Sequence, residues 1–443
     1  LNFFKKISEI ISKYIPSPLR KAISQVLGAQ FLLQLMGLGI SVLMVRVLPK
    51  SEYGIYTVLM AVLGMLSVIS GSGIMIGFKK IGGQVWNQNK ALADLIKTTF
   101  SIRKYLILFA FLVVGTYAFL VFNRQNVPFY DSLFFIVTLL FMVIPNASIG
   151  IYSEGLRLQK IYAPVQLQSL ISQGIRIIGI FVLFFFWKEY LTIKSILIIT
   201  VIGLWVSLIY LKKKQNASLL ISNSLIETPN VNIEYRNTLI KFIKLNWHNS
   251  IFFAFKDQIS IFIIGIYGSK ASLADLGAIT RYSMVFLVIV ALITNILGPT
   301  FGRCNKKQRL KQITLFTLIS YLFFFVFVII MVVLFSDQLL WLLGSKYEGL
   351  NKELLLVFIS SLLLLGVQIV SALNSSKGWI KYSPLLEIPL GIIGIITSII
   401  VFDLSTVTGA LYLSIVSMTI MLLMHIANFI FGYKHFKEIT SFS

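Results

Sequence analysis

The sequence predicts an all-α, polytopic membrane protein: twelve transmembrane helices in two six-helix lobes related by a pseudo-twofold axis along the membrane normal. Three observations predict it. Hydrophobic residues make up 57% of the 443-residue chain and charged residues 12%, a balance foreign to soluble domains of this size. Apolar stretches able to cross roughly 30 Å of hydrocarbon as helices recur throughout. The two halves also echo each other, as duplicated transporters do.

The echo centres on residues 45–73, VRVLPKSEYGIYTVLMAVLGMLSVISGSG, where an apolar helix ends, a polar turn follows and Tyr53-Gly54 opens a second apolar run. A weaker copy, GIYGSKASLADLGAITRYSMVFLVIVALI, starts at Gly265. Laying Gly54 on Gly277 sets Glu52-Tyr53-Gly54-Ile55-Tyr56-Thr57 on Asp275-Leu276-Gly277-Ala278-Ile279-Thr280, a displacement of 223 residues (54 to 277). Tyr162-Ala163-Pro164 and Tyr382-Ser383-Pro384 repeat at nearly the same displacement, 220 (162 to 382).

In chain order, residues 1–23 form an amphipathic cytoplasmic segment. Phe3, Phe4, Ile7, Ile11 and Tyr14 share a helical face opposite Lys5, Lys6, Glu9 and Lys13, fit for an anionic membrane surface. It lacks the apolar core of a signal peptide. The spans run over 24–48, 54–78, 104–122, 129–151, 162–186 and 190–211 in an N-lobe (24–211). They continue over 242–267, 273–298, 312–335, 353–373, 382–402 and 405–431 in a C-lobe (242–431). A solvated linker (212–241) joins the lobes and a cytoplasmic tail (432–443) ends the chain. Leu92, Leu95, Ile96 and Thr99 make the connection 79–103 an amphipathic surface helix. Leu339–Leu343 is too short to cross and reads as an interfacial or re-entrant piece.

The formal net charge of +23 does not mark a nucleic-acid partner, because the basic residues lie between apolar spans instead of in a solvated domain. Most of them fall on the side of both termini. The other side holds only Lys50, Arg124, Lys188, Lys194, Lys270, Lys346 and Lys352 outside the spans. Twelve spans with both termini cytoplasmic follow. The single Cys304 excludes a disulfide framework, and His248, His425 and His435 are too scattered to suggest a metal site. No cofactor is implied.

Charges at membrane depth cost about 2.5–3.5 kcal/mol each on insertion scales, so they face a cavity or a partner. Ser169, Ser172, Gln173 and Arg176 form one polar stripe on the fifth span. Lys256, Asn249, Ser260, Asn246, Asp257 and Ser250 fill one arc of the seventh, with Lys244 and His248 nearer the cytoplasmic end. Arg281 lies in the eighth span and Glu387 in the eleventh, between Pro384 and Pro389. Gln30 and Gln34 share a face of the first. Arg46 is close enough to the outer end of its helix to snorkel, the glutamines could be interhelical hydrogen-bond partners, and the glycines of the first two spans suit close packing.

At this point the chain resembles the Wzx-type polysaccharide flippases. The VRVLPKSEYGIY… stretch is similar to their first two helices, Asp257 with Asp275-Leu276-Gly277 to the start of their second half, and Leu343-Gly344-Ser345-Lys346-Tyr347 to the segment between their ninth and tenth helices. The six-plus-six plan resembles their superfamily, the multidrug/oligosaccharidyl-lipid/polysaccharide (MOP) transporters, which includes the MATE multidrug extruders. The resemblance implies a transporter, not an enzyme. It would sit in the bacterial inner membrane and move undecaprenyl-pyrophosphate-linked O-antigen or capsule repeat units to the periplasmic leaflet. Membrane lipids, a coupling H+ or Na+, and a polysaccharide polymerase or chain-length apparatus are the implied partners. Arg176, Lys256, Arg281, Lys244, His248 and Arg46 are candidates for headgroup attraction, while Asp257, Glu387, Gln30, Gln34 and Gln173 are candidates for coupling or the polar cavity.

Two rivals bear on this reading. A multidrug extruder of the same fold favours an acidic cavity for cationic drugs, and the charges inside the spans here are mostly basic. A polysaccharide polymerase or ligase typically carries a large periplasmic loop, and the longest connections here fall on the basic side. No H-E-x-x-H, Walker A or nucleophile-elbow pattern occurs.

Overall fold

The computed structural model describes residues 17–220, 229–302, 304, 306–379 and 381–436. The expected surface helix at 1–15 lies outside them. Among the described residues the chain is helical and contains no strand. The helices are α1 (Ser17–Val47), α2 (Lys50–Ser70), α3 (Ile74–Val85), α4 (Asn89–Arg124), α5 (Phe129–Leu158), α6 (Ala163–Phe186), α7 (Ile193–Leu220) and α8 (Ile233–Tyr267). Then follow α9 (Lys270–Ile279), α10 (Phe286–Leu292), α11 (Gly298–Gly302), α12 (Lys307–Leu343), α13 (Asn351–Lys377), α14 (Ser383–Val401) and α15 (Val407–Lys434).

Helix occupies every expected span. Among the described residues nine are long and apolar enough to cross a membrane. A tenth, α8, qualifies as a pair bent by 55° between Ile233–Lys256 and Gln258–Tyr267, and the apolar runs Phe31–Val47 and Leu386–Val401 are shorter. The chain is a multi-pass membrane protein. The presumed linker is largely helical at its ends, because α7 continues to Leu220 and α8 begins at Ile233. The connection 79–103 is likewise not a separate surface helix: Asn89 onward is the start of α4, and Leu92 and Leu95 pack in a buried cluster with Phe78 and Leu239.

Besides the bent α8, three spans depart from simple helices. The second breaks at Gly71–Gly73, where Gly73 adopts φ +66°. A Cβ there would collide with the Phe242 carbonyl of α8, so this glycine serves both the left-handed turn and the close approach. The eighth is interrupted twice, by a 3-10 stretch at Thr280–Val285 and a π stretch at Ile293–Leu297. The ninth runs unbroken in hydrogen bonding from Lys307 to Leu343 but kinks at Phe335 (φ −118°, ψ 21°). Leu339–Leu343 is therefore the last turn of α12, beyond the kink.

The halves meet along α2 and α9. Gly54 and Gly277, equivalent in the repeat, both sit in this contact. A Cβ on Gly54 would strike the Lys270 carbonyl, and one on Gly277 would strike Thr57 Oγ1. The side chains behind them, including Val58, Leu59, Val62, Leu273 and Leu276, are almost fully buried. At 25 cal/mol per Å² of apolar surface, each such side chain contributes about 1.5–3 kcal/mol in water, while in lipid tight packing holds the contact.

Candidate functional site

Tyr53 and Tyr56 lie one turn apart on α2, their ring centroids 5.9 Å from each other. An arginine reaches them from each half of the molecule. Arg281 Nε donates to the Tyr53 hydroxyl at 3.0 Å, and Arg176 Nη2 donates to the Tyr56 hydroxyl. The Tyr53 hydroxyl can donate in turn to the Gly277 carbonyl at 3.4 Å. Two guanidinium groups thus converge on one phenol pair, with no carboxylate among their hydrogen-bond partners in the described residues. Buried polar groups are ordinarily hydrogen-bonded, yet Arg176 Nε has no partner.

Local structure explains how Arg281 gets there. The 3-10 stretch tightens the helix at Thr280–Val285, and such mid-helix irregularities recur at functional sites. Beside it lies a polar chamber of about 340 Å³ between α2, α8, the eighth span, α13 and α15, lined by Arg281, Gln258, Ser260, Ser283, Ser361 and Ser414 among others.

The remaining candidates separate into groups. Lys256 is only 6% exposed, its Nζ 5.7 Å from the centre of the Phe253 ring. It interacts electrostatically with Glu387 and His425. The cationic candidates are therefore not gathered at one point: Arg176 and Arg281 meet the tyrosine pair, while the Lys256 ammonium lies against Phe253. Arg46 leaves the interior entirely. Its guanidinium donates to the carbonyls of Trp341 (2.7 Å) and Leu342 (2.8 Å) and lies 5.0 Å from the Trp341 ring centre. That is snorkelling with a partner, because the end of α12 supplies free carbonyls. Lys244 and His248 are exposed on α8, the imidazole against Trp247 at 3.9 Å between ring centres. Gln34 and Gln173 are half-buried, Gln173 facing Gly37 across the α1–α6 contact. The side chains of Gln30 and Asp257 lie outside the described residues.

Sequence reasoning missed Tyr53 and Tyr56, whose available signal was two phenols three residues apart at the start of the repeated stretch. It also missed the chamber serines other than Ser260, which lie on three further spans. Among the described residues, no group of three His, Cys, Asp or Glu gathers to hold a metal ion.

No protein-family model and no curated protein sequence matches the chain. Solved structures do. The lipid II flippase MurJ in an inward closed conformation aligns with a TM-score of 0.68 at 15% identity, covering 92% of this chain and 88% of that one. An inward-facing multidrug resistance MATE family transporter of the MOP superfamily aligns with a TM-score of 0.66 at 14% identity, covering 92% and 96%. The all-α fold of this chain is the MATE- and MurJ-like fold of the MOP-superfamily transporters.

Proposed function

We propose that the protein is a flippase for polyprenyl-pyrophosphate-linked oligosaccharides, working by alternating access and supplying a surface-polysaccharide pathway. The observation that carries this reading is the convergence of Arg176 and Arg281, one from each half, on Tyr53 and Tyr56. A pyrophosphate offers charged acceptors to both guanidinium groups at once, and charge-assisted bidentate bonds outcompete bonds to a neutral phenol. The lipid tail stays in hydrocarbon while headgroup and sugars cross the polar interior. Lys256 with Glu387, and Asp257 next to Lys256 in sequence, are the proposed coupling centre for H+ or Na+. A cationic drug would instead meet two arginines, which disfavours the extruder reading.

The test is deletion in the native host, following surface glycan, lipid-linked repeat units and susceptibility to cationic drugs together. Loss of surface glycan with intact repeat units held on the cytoplasmic leaflet is expected, restored by the wild-type chain but not by Arg176→Ala. Normal glycan with raised drug sensitivity would leave the extruder. Repeat units that reach the outer leaflet unpolymerised would point to a polymerase or ligase.

A further inference from the structure

The chamber beside Arg281 carries a chemistry that binding a pyrophosphate does not require. Ser260, Thr280, Ser283, Ser360, Ser361 and Ser414 line it, and most of these hydroxyls have already placed their protons. Ser361 donates to the Val357 carbonyl (2.7 Å), Thr280 to that of Leu276 (2.7 Å), and Ser260 and Ser414 approach that of Ala410 at 3.0 and 3.3 Å. Ser283 and Ser361 share a bond of 2.7 Å. A hydroxyl whose proton lies on a carbonyl still has lone pairs, so this wall mainly accepts. The strong donor in it is Arg281, which among the described residues engages only Nε, with Tyr53, so the N–H groups of its two terminal nitrogens can serve a ligand. The Gln258 amide is a second donor on the wall.

This pattern sorts ligand classes. A small cation would meet the positive charge of Arg281 at close range. A bare inorganic anion would suit Arg281 but face lone pairs elsewhere. An apolar molecule would strand every polar group on the wall. A polyol with one acidic group fits both parts, its hydroxyls donating to the serines and its carboxylate accepting from Arg281. The volume of about 340 Å³ sits at the small end of small-molecule pockets, ~300–1,000 Å³, which suits one sugar ring rather than an oligosaccharide. The chamber also adjoins the tyrosine pair through the Arg281–Tyr53 bond, so a sugar there would lie next to a pyrophosphate drawn by Arg176 and Arg281, with Arg281 shared between the two acidic groups.

We propose that the chamber binds a carboxylate-bearing monosaccharide, a uronic-acid type, and selects lipid-linked glycans that carry one. The inference rests on the flippase reading and names the cargo class for the same site.

The test titrates the purified full-length chain in lipid nanodiscs with glucuronate, glucose and acetate, and separately with inorganic pyrophosphate, by saturation-transfer NMR and thermal unfolding. Glucuronate should bind roughly tenfold tighter than glucose, the increment of about one charge-assisted hydrogen bond, and clearly tighter than acetate. Arg281→Gln should erase the preference for glucuronate over glucose, Arg281→Lys should keep part of it, and Ser360→Ala should weaken both sugars. Acetate binding as tightly as glucuronate, or a preference that survives Arg281→Gln, would overturn the proposal. Pyrophosphate binding without glucuronate binding overturns the chamber and leaves the flippase reading. Glucuronate binding without pyrophosphate binding supports the chamber and removes that reading. Binding of neither removes both.

Discussion

Arg46 and Lys346 each cap the helix that the other closes. Arg46, one residue before the end of α1, donates to the last carbonyls of α12. Lys346, just beyond the end of α12, donates to the carbonyls of Arg46 (3.1 Å) and Leu48 (3.0 Å) at the end of α1. Helix C-termini carry free carbonyls and partial negative charge, so exchanging cations satisfies both ends and ties the halves together. Lys50 extends the clasp with an ion pair to Asp275 at 2.6 Å.

Breaking this clasp should loosen the face of the protein that it closes. The partly exposed bonds contribute about 1 kcal/mol each, so Arg46→Ala or Lys346→Ala should raise the population open on that face by roughly fivefold. The double variant should show less than the summed effect, because the two caps share one interface. In a Cys304→Ala background, an introduced Ser360→Cys should become more accessible to a membrane-impermeant thiol reagent. Unchanged labelling would remove the clasp from the gating account.

Gly277→Ala should destabilise the α2–α9 contact by about 1–3 kcal/mol, the usual range for overpacking. The added methyl would collide with the Thr57 side chain, so Thr57→Ala should recover part of the loss. Gly54→Ala meets the Lys270 backbone carbonyl instead, and no side-chain change should rescue it. Thermal unfolding of the four variants in detergent checks both statements. Equal rescue at both glycines would contradict the geometry.

These glycines also show what was legible in the sequence. Apolar runs had to be helices because the bilayer leaves backbone polar groups no other partner; the repeat register matched Gly54 with Gly277, but that both lie in one contact is visible only in the structure. The charges in the spans were visible because each is anomalous in its surroundings. Their grouping was not, since helix rotation and packing decide whether Arg281 meets Lys256 or Tyr53. Tyr53 and Tyr56 stood out only as members of the repeated stretch, and the chamber serines were ordinary helix residues until four spans brought them together. The break at Gly71–Gly73 had its signal, but glycines that permit packing and glycines that permit a left-handed turn look alike in sequence.

Tyr56→Phe should leave the Arg176 guanidinium without its phenol partner. Arg176 Nε is already unpaired, so the empty protein should lose about 1–3 kcal/mol. An added pyrophosphate should then recover more stability than in the wild type, because no phenol competes for the arginine. Thermal unfolding with and without inorganic pyrophosphate reads both effects. A smaller pyrophosphate response than wild type would mean that the phenol helps to hold the ligand.

Lys256 and Glu387 offer the sharpest separation of a structural pair from a coupling centre. Removing one member of a buried charge pair leaves the other uncompensated and typically costs about 3–5 kcal/mol, whereas removing both can be nearly neutral. If Lys256 and Glu387 act as a charge pair, Lys256→Met and Glu387→Gln should each destabilise the fold more than the double variant does. Stability alone would not establish coupling, since a purely structural pair gives the same cycle. Transport driven by an imposed ion gradient in proteoliposomes supplies the other half. If the pair couples, the stable double variant should equilibrate cargo across the bilayer yet fail to accumulate it against a gradient. Retained accumulation in the double variant would assign Lys256 and Glu387 to structure alone.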